Sequence, residues 1–166
     1  MNFSQIPVGS SVFLDANILI YHFASDPNYG AACTQLIRRI ELQQLQGITS
    51  SHVLADVAHR LMTLEAIQTL GWPVTGIAAR LRNQRVEIAK LRIHHQAVAS
   101  MPHLRIQVIA VDLPLIVNAT LLSQQHQLLT GDALILAVMQ SIGLTQLASL
   151  DDDFDYVGGI SRYVPI

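Results

Sequence analysis

The 166-residue chain fits one domain, spanning 1–166, and is long enough to bury most of its apolar surface on folding. Apolar residues make up 51% and charged residues only 13%, so little charge is left to cover the surface, and an exposed apolar patch that a partner or a second copy covers is expected. A formal charge of -2 excludes a strongly basic coat for nucleic acid, although acidic residues gathered in one pocket would leave the remaining surface more positive than the total.

No apolar run reaches the roughly eighteen residues of a membrane span. Residues 1–7 carry no basic residue and no long apolar core, so they do not read as a signal peptide. The single Cys33 can form no internal disulfide and falls on a helical pattern as a small buried hydrophobe. A cytoplasmic protein is expected.

In chain order, Val12-Phe13-Leu14 reads as a fully buried strand that stops on Asp15. Asp26-Pro27 reads as a helix cap followed by proline at the first helical position, opening a helix to about Gln46 that Gly47 closes. Residues 47–50 form a short strand, and Ser51 caps a helix with Val53, Leu54, Val57, Leu61 and Leu64 on its apolar side. Asp56 borders that side, with a cation or Arg60, four residues on, as alternative partners.

Gly71-Trp72-Pro73 breaks the helix, and a long helical pattern then runs from about Thr75 to Ser100. It carries Arg80, Arg82, Arg85, Lys90 and Arg92, half of the chain's lysines and arginines, and is the one candidate RNA-facing surface, a solvated helix face being the alternative. Residues 105–111 read as a strand, Asp112 with Pro114 as a helix start, and 115–125 as that helix. Thr130-Gly131-Asp132 opens a buried helix over 133–142 that ends at Gly143. Residues 146–150 form the last core strand, stopping on Asp151-Asp152-Asp153, and 160–166 a short edge strand. The seven histidines show no zinc-site spacing, and none is taken as catalytic.

Strands alternating with helices imply a parallel sheet covered on both faces. In such sheets ligands bind outside the carboxyl ends of the strands, where Asp15 and Asp151 fall, and carboxylates meeting there suit hard cations such as Mg²⁺ and Mn²⁺.

Four segments carry these acids: Phe13-Leu14-Asp15-Ala16-Asn17, Thr49-Ser50-Ser51-His52-Val53-Leu54-Ala55-Asp56, Gly131-Asp132-Ala133-Leu134 and Leu147-Ala148-Ser149-Leu150-Asp151-Asp152-Asp153. In this order they resemble the four acidic motifs of PIN-domain nucleases, most of all the VapC-type ribonuclease toxins. The family usually has Glu where this chain has Asp56, and Thr where it has Ser149.

The resemblance implies a PIN-like three-layer α/β/α sandwich and a metal-dependent endoribonuclease, the toxin of a toxin-antitoxin pair. Asp15, Asp56, Asp132 and Asp151 would be catalytic and hold one or two Mg²⁺ or Mn²⁺ ions, with Asp153 as a further ligand. Asn17 and Ser149 would orient those carboxylates by hydrogen bonds. RNA as substrate, a cognate antitoxin and a homodimer follow from the same resemblance, and no membrane association does. The alternative is a PIN fold that binds RNA or protein without turnover. A phosphoacceptor receiver domain needs an acidic pair early in the chain and a Lys near the last strand, and has neither here.

Overall fold

A computed structural model describes residues 1–166. Five parallel strands form one sheet in the order β3-β2-β1-β4-β5, with β1 at Ser11–Leu14, β2 at Gln46–Ser50, β3 at Ile106–Ile109, β4 at Gln146–Ala148 and β5 at Ser161–Tyr163. Phe13 lies in register with Ile48 of β2 and Leu147 of β4. Val12, Phe13 and Leu14 are fully buried, as the central strand of a sheet covered on both faces must be.

The helices are α1 (Ala16–Phe23), α2 (Gly30–Glu41), α3 (Ser51–Leu70), α4 (Ile77–Asn83), α5 (Arg85–Ile88), α6 (Ile93–Ala99), α7 (Leu113–His126) and α8 (Thr130–Ser141). The chain moves outward from β1 to β2 and β3, then crosses back to place β4 on the other side of β1. With right-handed crossovers, α1 to α6 cover one face and α7 with α8 the other, which is the expected three-layer sandwich. Ile135, Val138 and Met139 of α8 join Phe13 and Leu147 in the main core. Ala119 and Leu122 of α7 pack with Ala133, Leu136 and Ala137 of α8 in a smaller one. No helix is long and apolar enough to cross a membrane.

Several local expectations need correction. The pattern over 75–100 is three short helices instead of one; α4 and α5 part at Gln84, and before α6 the buried carboxylate of Glu65 on α3 accepts hydrogen bonds from the backbone N–H of Arg92 and Ile93 at 2.9–3.0 Å. That cap comes from 27 residues away and starts α6 afresh. Gly47 does not close α2; that helix ends at Glu41, Gln43 takes a left-handed φ of 58°, and Gly47 lies within β2. There a Cβ would stand 2.7 Å from Cδ1 of Ile40, so the glycine permits the close approach of α2 to the sheet.

Asp26 caps only a turn, accepting from Asn28 and Tyr29 N–H at 2.9 Å, and α2 begins at Gly30. Ser51 opens α3, but its hydroxyl accepts from Val111 N–H instead of capping the helix. Asp112 does cap α7, accepting from Leu115 N–H at 3.1 Å with Pro114 in the first turn, and the left-handed Gly71 ends α3.

Candidate active site

The strand order reverses between β1 and β4, the chain running outward to β3 on one side and returning to β4 on the other, so the carboxyl ends of these two parallel strands form the mouth of the crevice. The pairing of Leu14 with Ala148 is extended by a hydrogen bond from Asp15 N–H to Ala148 O at 3.1 Å. The residues that follow, Asp15 and Ser149, therefore meet by register alone.

Asp15 caps α1, its Oδ1 accepting from Ala16 N–H at 2.5 Å. Its Oδ2 accepts from Asn17 Nδ2 at 2.5 Å and from Ser149 Oγ at 2.6 Å. The same Ser149 oxygen accepts from Asp151 N–H at 3.0 Å, and Asn17 Oδ1 from Leu150 N–H at 3.2 Å. Asn17 and Ser149 thus clasp the ends of the two strands and fix Asp15 with neutral donors. Burial still raises the Asp15 carboxyl above the usual range, against the lowering by those donors and with a smaller contribution from Asp151.

Asp132 stands in the first turn of α8, and Asp151 caps a 3₁₀ turn over Asp152–Tyr156, accepting from Asp153 N–H at 3.0 Å. Carboxylate oxygens of Asp132, Asp151 and Asp153 all lie within 4.8 Å of one another. Burial, then the charges of Asp151, Asp15 and Asp153, push the Asp132 carboxyl up to about 6. Three carboxylates so close repel unless protons or cations intervene. This donor set of hard oxygens fits Mg²⁺ or Mn²⁺.

The structure brings together Asp132, Asp151 and Asp153, with Asp15 buried beside them. It does not bring Asp56 into that group: Asp56 is exposed on α3, forms no ion pair with Arg60, and has His52 as its electrostatic neighbour. His52 shares a 2.8 Å hydrogen bond between Nδ1 and Ser50 Oγ and lies against the backbone of Gly131, tying the start of α3 to that of α8. Burial, the larger influence, lowers its pKa.

Arg80, Arg82, Arg85, Lys90 and Arg92 are all exposed but spread over α4, α5 and the turns before α6 instead of sharing one helix face. Lys90 is held by Glu87 at 2.8 Å.

One organising residue carried no signal in the sequence. Arg162 on β5 grips both oxygens of Asp155 at 2.8 and 2.5 Å, and its Nη1 reaches the carbonyls of Ser149 and Leu150 at 3.4 Å. It braces the turn that carries Asp151 and Asp153. An isolated arginine seven residues after an aspartate is its only trace in the chain.

The model of the PIN domain family matches residues 12–160, and the chain belongs to that family. The structure is similar to VapC20 of Mycobacterium tuberculosis, described as a sarcin-ricin-loop-cleaving toxin, with a TM-score of 0.60, 19% identity and coverage of 89% of this chain and 95% of that one. It is also similar to a chain of a Klebsiella pneumoniae toxin-antitoxin complex (TM-score 0.55, 19% identity, 90% and 95% covered). A third likeness is to a chain of VapBC2 from Rickettsia felis, solved bound to a DNA fragment from its promoter (TM-score 0.56, 14% identity, 93% and 98% covered). No curated protein sequence matches the chain significantly.

Proposed function

We propose that this PIN-domain protein is a metal-dependent endoribonuclease and the toxin of a toxin-antitoxin pair. The observation that carries the reading is the convergence of Asp132, Asp151 and Asp153 within 4.8 Å at the switch point of the sheet, with Asp15 beside them. Those carboxylates would hold one or two Mg²⁺ or Mn²⁺ ions. A divalent cation there would supply Lewis acidity, activating water for attack on a phosphodiester and offsetting charge on the departing oxygen.

The chain's own residues do the positioning. Asn17 and Ser149 hold Asp15 in one rotamer, the Ser149 hydroxyl and Arg162 fix the turn bearing Asp151 and Asp153, and α8 presents Asp132 from its first turn. Asp56 is assigned no place among the cation's ligands.

Half of the chain's acidic residues, Asp15, Asp132, Asp151, Asp152, Asp153 and Asp155, gather at this one end, so the remaining surface carries a positive balance despite the net charge of -2. The exposed Arg80, Arg82, Arg85 and Arg92 supply charge for RNA phosphates. Leu113, Ile116, Val117 and Leu121 leave an uncharged apolar stripe exposed along α7, which suits coverage by an antitoxin or a second copy. The toxin assignment is supported by the descriptions of the structural relatives.

The test is cleavage of structured and unstructured RNAs by partner-free protein in Mg²⁺, in Mn²⁺ and in chelator, beside Asp15→Asn and Asp56→Asn. Cleavage that needs the metal and Asp15 is expected, and the Asp56 variant reads whether that carboxylate takes part. Metal-independent RNA binding without turnover would establish a binding module instead.

A further inference from the structure

A cavity of about 280 Å³ lies beside the carboxylates and is accounted for by none of the residues assigned so far. Its walls include Asn17, Tyr21 and Asp26 from α1 and the turn after it, and Arg60 and Leu64 from α3. Asn17 belongs to both places: it lines the cavity, and its amide nitrogen donates to Asp15 at 2.5 Å. Whatever fills the cavity is therefore one side chain away from the reacting centre. At the low end of small-ligand pockets, about 300 Å³, it has room for one nucleobase and little else.

The lining has the chemistry of a nucleotide. Arg60 is exposed and makes neither an ion pair nor a side-chain hydrogen bond, although Asp56 stands one turn before it. A free guanidinium at such a place is a phosphate clamp in waiting. Tyr21 is half-buried, is braced by Tyr29 with ring centroids 5.2 Å apart, and its hydroxyl makes no hydrogen bond. Asp26 spends Oδ1 on two backbone N–H groups and leaves Oδ2 free to accept from a base amino group.

The larger cavity near the site, about 490 Å³, is bordered by Asp153 and His126 and holds no arginine or lysine. Of these two cavities, only the one lined by Arg60 offers a fixed positive charge to a phosphate.

Resting on the proposed nuclease reading, we infer that the cavity walled by Asn17, Tyr21, Asp26 and Arg60 is the subsite for the nucleotide next to the scissile phosphate of a single-stranded RNA. The base stacks on Tyr21 and its phosphate pairs with Arg60. An aromatic platform beside a cation is the usual means of holding an unpaired nucleotide. Tyr21 and Arg60 are binding residues here and take no part in the bond exchange.

The experiment uses a single-stranded RNA of randomised sequence carrying 4-thiouridine. Steady-state cleavage in Mn²⁺, binding by anisotropy and photo-crosslink mapping are measured for the wild type, Arg60→Ala, Arg60→Lys, Tyr21→Ala and Tyr21→Phe. Each alanine variant should raise KM about tenfold, the scale of one lost stack or charge-assisted contact, with kcat within about twofold, while Tyr21→Phe stays near the wild type and Arg60→Lys falls between the wild type and alanine. Crosslinks should fall on α1 at Tyr21. Arg60 is exposed, so its variants keep the test open even if Tyr21→Ala unfolds.

Cleavage by the wild type with KM unchanged in both alanine variants would overturn the subsite and leave the nuclease standing. Binding that both alanine variants weaken, without cleavage by any protein, would keep the subsite and remove the nuclease. Absence of both cleavage and binding in the wild type would overturn the two together.

Discussion

Replacing Asp132 with Asn separates a carboxylate held for a cation from one held for its helix. In the folded protein the Asp132 carboxyl is pushed from 3.8 to about 6, first by burial and then by Asp151, Asp15 and Asp153. A folded pKa above the unfolded one means that this group's stabilising contribution is complete below about pH 4 and is lost as pH rises through about 6. Near neutrality the metal-free fold carries an ionised carboxylate it disfavours. Taken at face value the shift is worth about 3 kcal/mol, and because Asp132 is half-exposed, screening reduces that to on the order of 1 kcal/mol.

The opposing effect, attraction of a carboxylate to the start of α8, is about 0.5 kcal/mol and smaller. In chelator at neutral pH, Asp132→Asn should therefore be more stable than the wild type by ~0.5 kcal/mol net, about 1–2 °C in Tm for a chain of this size. The advantage should fade as pH drops through about 6. With cation at a hundredfold excess over its Kd, the wild type gains about 2.7 kcal/mol and the variant loses most of that gain, so the order inverts. Urea denaturation across a pH series, in chelator and in Mn²⁺, reads both effects. A variant less stable in chelator at neutral pH, or one with the full cation gain, would refute the electrostatic account of the cluster.

Ser149→Ala removes a donor from buried Asp15 and an acceptor from Asp151 N–H. It should cost about 2 kcal/mol and slow cleavage about tenfold to a hundredfold, and unchanged melting and turnover would show that neither bond matters. Glu65→Gln weakens the charge-assisted cap on Arg92 and Ile93, so those two amides should exchange with solvent faster than in the wild type, at a global cost of about 1 kcal/mol. Exchange unaltered at both would place the origin of the α6 start elsewhere. Gly47→Ala should destabilise by about 1 kcal/mol and be partly relieved by Ile40→Val; strictly additive losses would mean that the contact with Ile40 is not what requires glycine.

What could be read from the chain followed from local order. An apolar run that ends on a carboxylate defines a strand and its mouth together, and Asp15 and Asp151 were legible for that reason; the same holds for Asp112 and Pro114, whose capping chemistry is contained within four residues. What escaped depended on partners distant in sequence. Nothing near residue 92 announces a helix start, because the cap is Glu65. Gly47 resembles a helix stop until Ile40 is folded against it. Asp56 fits a motif by spacing, and its place on α3 leaves it exposed and outside the group formed by Asp132, Asp151 and Asp153, a separation that spacing alone could not show. Arg162 braces the acidic turn only because β5 returns alongside β4.

These distant partners also explain why the carboxylates remain available. Every oxygen of Asp15 is met by a neutral donor, from Ala16, Asn17 or Ser149, so its charge is positioned without being cancelled. Arg162 is bidentate to Asp155 and touches the site only through carbonyls. No lysine or arginine pairs with Asp132, Asp151 or Asp153. A fold that merely tolerated surface acids would let them spread apart in solvent, where repulsion is weak. Here strand register, a helix start and a braced turn hold three together, at a cost to stability that the start of α8 and the Asp153 N–H offset only in part. A proton on the cluster, which the raised Asp132 carboxyl favours, or a small cation held among these oxygens would relieve that cost, and near neutrality the cation is the stronger candidate.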